Sequence, residues 1–378
     1  LLHPGNARAA QAFGRYGTAA GEFSEPNGIA IDQTSGEVYV LDTNNERVDK
    51  FTKDGRFLLA WGRGIAGGKG HALQRCTART RCVAGLAGSG PGEMGFAEGL
   101  AVDNDPHSPS FRDVYAVDLT NHRIEKFSPN GRFLAMIGGG VNASAHARGD
   151  TANEDRCPVD PGDQCGAGRL GKARGEFDFG VEGNFVAVGG NGVVYVGDRN
   201  RVQEFSPTGV QLTQIMLTPA PQGSGSELGG TTALAVNHSG EIYVLRNGVS
   251  GVRKYSPQGE LEQTVDEENG LVSFESPTPM LTLDPAGHLF LDFHIHERHW
   301  VVEYDAAGSE LASFDYGQVD ALHGMAYNSR TEELNVVSVN SNITPYLAEV
   351  RRITPPPPID PVLTNFKLKA LCLKESCL

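Results

Sequence analysis

Apolar positions in this chain fall in short runs, often alternating with polar ones, and turn-forming residues separate them. The first clear set is Asn27-Gly28-Ile29-Ala30-Ile31-Asp32, then Glu37-Val38-Tyr39-Val40-Leu41-Asp42, then Arg47-Val48-Asp49-Lys50-Phe51, then Gly55-Arg56-Phe57-Leu58. Runs this short, bounded by turn residues, predict strands. The set recurs from Glu98-Gly99-Leu100-Ala101-Val102-Asp103 through Asp118, Arg123-Ile124-Glu125-Lys126-Phe127 and Gly131-Arg132-Phe133-Leu134. A third copy keeps Val186-Ala187-Val188, Val194-Tyr195-Val196-Gly197-Asp198, Arg201-Val202-Gln203-Glu204-Phe205 and Gly209. Such recurrence predicts a four-stranded antiparallel sheet repeated around an axis.

The turns carry their own chemistry. Ser128-Pro129-Asn130-Gly131, Ser206-Pro207-Thr208-Gly209 and Ser256-Pro257-Gln258-Gly259 separate the third and fourth strands, and Gly55 and Gly308 hold the same place in two further units. Proline suits the second position of a type I turn, and glycine supplies the positive φ that follows. A fourth unit covers Ala233 to Gly259, and a fifth runs from Met280 to Gly308. The sixth begins at Gly324-Met325-Ala326-Tyr327-Asn328, and its third strand, Glu349 to Ile353, is followed by Thr354 and the prolines 355 to 358. Prolines cannot donate ladder hydrogen bonds, so the sixth unit lacks a fourth strand of its own. Ala10-Gln11-Ala12-Phe13-Gly14 stands before the first unit as Leu59-Ala60-Trp61-Gly62 stands before the second. The N-terminal strand is therefore expected to pair with the last unit. The expected fold is all-β: a six-bladed β-propeller over residues 1–354, its ring closed by that pairing.

The residues Pro26-Asn27-Gly28-Ile29-Ala30-Ile31-Asp32, Val38-Tyr39-Val40-Leu41-Asp42 and Asn45-Glu46-Arg47-Val48 resemble the NHL-repeat family of propellers, and Asp118-Leu119-Thr120-Asn121-His122-Arg123-Ile124 matches nearly as well. The third unit lacks two residues between its Asp and Arg, and later units have lost most of the motif. The resemblance implies the fold, in the form found on secreted or cell-surface bacterial proteins, and leaves the activity open because this fold hosts many functions. Asp42, Asp118 and Asp198 recur with Arg47, Arg123 and Arg201, which marks them as scaffold.

The formal net charge of −14 and the absence of a Lys/Arg-dense stretch argue against nucleic acid as a partner. No run approaches the length of a membrane span. The cysteines form three close pairs, Cys76 with Cys82, Cys157 with Cys165 and Cys372 with Cys377. Local disulfides fit better than a shared metal site, because these spacings exceed those of zinc knuckles. They imply an oxidising, extracellular or cell-surface location. Two pairs lie in the long insertions 62–97 and 138–183, where no strand pattern holds the chain. Glycosylation triplets begin at Asn142, Asn237 and Asn342.

Aligning the units sets one residue from each beside the mouth of the central channel: Asn27, Glu98, Asn184, Thr232, Pro279 and His323. Among NHL relatives, the peptide-amidating lyase holds zinc with histidines from separate blades, and a similarly shaped antibiotic lyase uses a metal and a histidine in the channel. With one histidine and one carboxylate in the ring, such a catalytic zinc set is not expected here, although Glu98 and His323 could hold a hard cation. No cofactor is expected. A second candidate is the loop between the second and third strands of unit five, with Phe293, His294, His296, Arg298 and Trp300 on the same face as the channel mouth. Aromatic residues and arginine favour interfaces.

Pro355 to Pro358 open a stiff linker over 355–361, and residues 362–378 alternate as a strand does. They are read as the start of a second β-domain or as a strand donated to a neighbouring copy. Leu1 at the start is read as the edge of a piece of a longer protein. Together these readings favour a non-catalytic extracellular scaffold whose loop-rich face meets a protein or glycan. A structural subunit of a surface fibre or layer and a metal-dependent lyase or hydrolase remain as alternatives.

Overall fold

A computed structural model describes residues 11–67, 70, 72–179, 185–218, 230–246, 249, 251–265, 280–295, 298–317, 321–340 and 347–355. Six antiparallel sheets follow one another along the chain. Blade one is Pro26–Asp32, Glu37–Asp42, Arg47–Phe51 and Phe57–Arg63, and blade two is Ala97–Val102, Val114–Asp118, Arg123–Phe127 and Phe133–Ile137. Blade three is Val186–Val188, Val194–Asp198, Arg201–Phe205 and Gln211–Met216, and blade four is Thr231–Val236, Ile242–Arg246, Val252–Tyr255 and Leu261–Val265. Blade five is Leu281–Leu283, Leu289–Ile295, Arg298–Tyr304 and Glu310–Gly317. Blade six takes Ala321–Asn328, Glu333–Asn340 and Leu347–Ile353 from the C-terminal side and Ala12–Phe13 from the N-terminal side.

Ring closure follows the expected pairing of the N-terminal segment with the last unit. Ala12 pairs with Arg351 and Phe13 with Val350, and the Arg352 N–H donates to the Gln11 carbonyl at 3.1 Å. A second sign of closure lies in the core. Among the described residues six large apolar clusters occur, each at one blade–blade interface, and Ile29, Val38 and Val40 of blade one meet Ala326, Val337 and Val350 of blade six. An open ring would leave that last cluster facing water.

The turn between the third and fourth strands is the same in five blades. The glycine N–H donates to the carbonyl three residues back, as from Gly131 to Ser128 at 2.9 Å and Gly209 to Ser206 at 2.9 Å. All five glycines have positive φ, from +70° to +86°. They also face the outer strand of the preceding blade. A Cβ on Gly131 would come within 2.6 Å of Trp61, one on Gly209 within 2.9 Å of Ile137, and one on Gly259 within 2.8 Å of Ile215. Gly55 faces Phe13 in the same manner, at 2.5 Å. Phe13 thus fills in blade six the place that Trp61 fills in blade one.

The two insertions differ from expectation. Each adds a fifth strand at the blade's outer edge, Leu73–Thr77 beside Phe57–Arg63 and Arg156–Cys157 beside Phe133–Ile137. Backbone pairing, rather than loop wandering, places them there, and it covers sheet edges that would otherwise stand open. The expected disulfides Cys76–Cys82 and Cys157–Cys165 form inside these additions; Cys76 and Cys82 are buried with Ala60 and Ile65, and Cys157 is buried with Met136 and Val141 while Cys165 is partly buried against them. Cys372, Cys377 and the tail after residue 355 lie outside the described residues. No helix among the described residues is long and apolar enough to cross a membrane.

Candidate functional site

The channel wall is made by the first strands. Ile31, Val102, Ala187, Val236, Leu283 and Ala326 each contribute one wall position per blade around a cavity of about 150 Å3. Polar side chains stand at its rims. At the upper mouth the expected residues occupy a recurring β-bulge. Pairing skips one residue between Pro26 and Ile29, between Ala97 and Leu100, between Thr231 and Ala233, and between Leu322 and Gly324. Asn27, Glu98, Thr232 and His323 fall within those bulges, which re-aim a side chain out of the regular pleat. Asn184 and Pro279 lie outside the described residues.

The structure joins two members of this ring. His323 Nδ1 and Asn27 Oδ1 are hydrogen-bond partners, with the ring N–H as donor to the amide oxygen. Asn27 Nδ2 donates in turn to Thr43 Oγ1 at 3.2 Å, and that hydroxyl donates to the Ala97 carbonyl at 2.8 Å. One hydrogen-bonded chain therefore crosses the mouth from blade six through blade one to blade two. Glu98 is buried, and its backbone carbonyl presses on Gly28. Among the described residues, the ring does not bring three metal-ligating side chains together. Within the ring His323 and Asn27 are held by one another, whereas Thr232 Oγ1 is buried without a hydrogen-bond partner among the described residues.

In blade five, Phe293 pairs with Trp300 and His294 with His299, so the expected loop is an extended hairpin rather than an open loop. Trp300 is half-buried against the core between blades four and five. His296 lies outside the described residues, as do the side chains of Phe293, His294 and Arg298.

The recurring Asp and Arg build the scaffold of the upper face. Arg47, fully buried, donates from Nε to Asp42 and Asp49 at 3.1 Å each, and its terminal nitrogens reach the carbonyls of Thr18, Ala19, Glu22 and Val83. Arg123 repeats this with Asp118 and the carbonyls of Ser89, Gly90, Glu93 and Gly166. Arg201 reaches Lys172 and Glu176. Burial pushes the Asp42 and Asp118 carboxyls up; Asp49 adds to this at Asp42, while Arg47 and Arg123 respectively oppose it. Val83 and Gly166 each stand one residue beyond a disulfide cysteine, so each arginine also ties its insertion back onto the blade.

The connections gripped by these arginines share a pattern that the repeat alignment overlooks. Gly17-x3-Gly21-Glu22-Phe23, Gly88-x3-Gly92-Glu93-Met94 and Gly171-x3-Gly175-Glu176-Phe177 each precede a first strand. In each, the first glycine N–H donates to the carbonyl of the last residue, and the Glu carboxylate accepts from the backbone N–H three residues before it, at 2.9 Å in Glu22, 3.0 Å in Glu93 and 3.1 Å in Glu176. The seven-residue spacing was the signal. Around these connections Tyr16, Leu86, Phe96 and Leu170 are exposed by 53%, 45%, 44% and 60%. Tyr16 and Leu170 hold equivalent positions, bridged in parallel to Phe23 and Phe177.

Residues 23–51, the first three strands of blade one with the connection that leads in, match the family model of the NHL repeat. The chain carries an NHL repeat within a six-bladed β-propeller. Two curated proteins are similar to this chain over short stretches. One is the B-box type zinc finger protein ncl-1 of Caenorhabditis elegans, 47% identical over 45 residues, which is 12% of this chain and 5% of that protein. The other is the protein brain tumor of Drosophila melanogaster, 42% identical over 50 residues, 13% of this chain and 5% of that protein. The matches thus span only a small fraction of these curated relatives. A gluconolactonase from Xanthomonas campestris has a similar fold, with a TM-score of 0.50 and 13% identity over 93% of this chain and 99% of that one. Virginiamycin B lyase of Staphylococcus aureus covers 91% of this chain and 98% of its own at 9% identity, with a TM-score of 0.48. At these identities the likeness speaks for the fold alone.

Proposed function

We propose that this NHL propeller is a non-catalytic binding scaffold of the extracellular space or cell surface, which meets a protein partner through the upper face of blades one to three. The observation that carries this reading is the exposure of Tyr16, Leu86, Phe96 and Leu170 along connections that are otherwise tightly bonded. Large apolar side chains held on a rigid frame lose little entropy on binding, and apolar contact area is what a protein partner can use. The two disulfides support an oxidising location. The mutual hydrogen bonding of His323 and Asn27 and the aliphatic channel wall favour binding over catalysis.

The test is a binding screen against secreted proteins and glycans, run with the wild type and with Leu86→Ser/Phe96→Ser. Loss of a protein ligand in a variant that keeps the wild-type melting temperature supports the reading. Turnover of a lactone or a cyclic depsipeptide that disappears in His323→Ala would overturn it, and a glycan ligand would replace the partner class.

A further inference from the structure

The hairpin joining the first two strands of each blade lies on the lower face, opposite the arginine-gripped connections. In blade four it is held by Asn237, Glu241 and Lys254: the Asn237 side chain accepts from the Glu241 N–H at 3.0 Å, and Glu241 pairs with Lys254 at 2.6 Å. Blade six places Glu333 against Arg352 at 2.7 Å, and blade one sets Asp32 and Glu37 against Arg112 and Lys50. In these blades each carboxylate has a fixed cation.

Blade five keeps the turn and changes the charges. Gly287 N–H donates to the Asp284 carbonyl at 3.0 Å, as Gly240 does to Asn237 at 3.1 Å, and the His288 N–H donates to Asp284 Oδ1 at 2.8 Å. The three equivalent positions now hold Asp284, His288 and Glu303. Both ion pairs recorded for these carboxylates among the described residues go to His288, whose Nδ1 is 3.1 Å from Asp284 Oδ2 and 3.1 Å from Glu303 Oε1. A single ring nitrogen carries one proton or one lone pair, so it can offer these two carboxylates at most one shared N–H. The donor atoms of all three residues lie within 4.8 Å of one another. A cation about 2.1 Å from a nitrogen and an oxygen sets them about 3.0 Å apart at a right angle and about 3.4 Å apart at the tetrahedral angle of zinc, and the spacing found here lies between the two.

We propose that Asp284, His288 and Glu303 form a divalent-cation site on the lower face of blade five. The donor set of one imidazole and two carboxylates is suited to Zn2+ or Mn2+, with water completing the coordination on the exposed side of His288. The ion supplies the positive charge that a lysine or arginine supplies in blades one, four and six, and it ties the hairpin to the third strand. The inference is independent of the binding role of the upper face.

Equilibrium dialysis of the chelator-treated chain against Zn2+, followed by metal analysis and thermal unfolding, tests it. One zinc per chain and a rise in melting temperature are expected, both lost in His288→Ala and in Asp284→Asn. The Asn variant reproduces Asn237 of blade four and so keeps the fold. A His294→Ala/His299→Ala variant should retain the ion, which separates this site from the histidines at the other end of the blade. No uptake by the folded wild type, or uptake unchanged in both variants, would overturn the proposal and leave an ion-paired hairpin.

Discussion

Gly131 lies flat against the indole of Trp61, so that a β-carbon there would stand 2.6 Å from the ring. The turn of blade two thereby locks onto the outer strand of blade one, and the same contact recurs around the ring to Gly55 and Phe13. The glycine answers two demands at once, a φ of +70° and the space of a missing methyl.

Gly131→Ala should therefore cost roughly 2–4 kcal/mol, from left-handed strain and overpacking together. Gly149, with φ +72° and open space around it, isolates the first term, and its alanine variant should cost only about 1–2 kcal/mol. Urea midpoints of the two variants check the difference; equal losses would remove the packing contribution.

Arg123 is fully buried between Asp118, Glu125 and four backbone carbonyls. Arg123→Met strands two carboxylates and those carbonyls, at a cost of about 3–5 kcal/mol. Arg123→Lys keeps the charge but cannot span the same fan of acceptors, so it should recover only part of the loss. Denaturant unfolding distinguishes the two.

The disulfides Cys76–Cys82 and Cys157–Cys165 close short loops, with sequence separations of 6 and 8. The chain-entropy model assigns about 2–3 kcal/mol to each. Thermal unfolding with and without reductant should show a lowered midpoint, and thiol labelling of the native protein should leave these four cysteines unmodified. Labelling without reductant would contradict the pairing.

Burial, with Asp118 adding to it, pushes the Glu46 carboxyl up to about 7. A raised folded-state value means that the folded protein holds a proton the unfolded chain has released, so stability falls as pH climbs from the ordinary glutamate range to about 7. Glu46→Gln should flatten that slope and leave the protein more stable than wild type at pH 8. Denaturation curves at pH 5 and pH 8 measure it, and a parallel slope in the variant would assign the pH dependence to another group.

Asn142 shows how a local motif yields to context. Its triplet reads as a glycosylation site, yet the side chain is fully buried, caps the short helix Ala143–Ala147 and donates to Asp163 at 2.8 Å. A glycan attached there is incompatible with this fold.

Strand order, blade number, ring closure and the pairs Cys76–Cys82 and Cys157–Cys165 were legible in the chain itself, because alternation, turn glycines and repeat spacing act over a few residues. The Asp–Arg pairs declared themselves as scaffold by recurring. What the tertiary structure decided are relations between residues far apart: Phe13 standing in for a missing fourth strand, insertions laid down as fifth strands, and His323 bonded to Asn27 across the ring seam. Asp284, His288 and Glu303 drew no notice in the linear pattern, since His288 and Glu303 occupy positions that elsewhere hold an acid and a base. Local periodicity dictates which segments become strands. Only the closed ring, by bringing separate segments within bonding distance, determines which of their side chains meet.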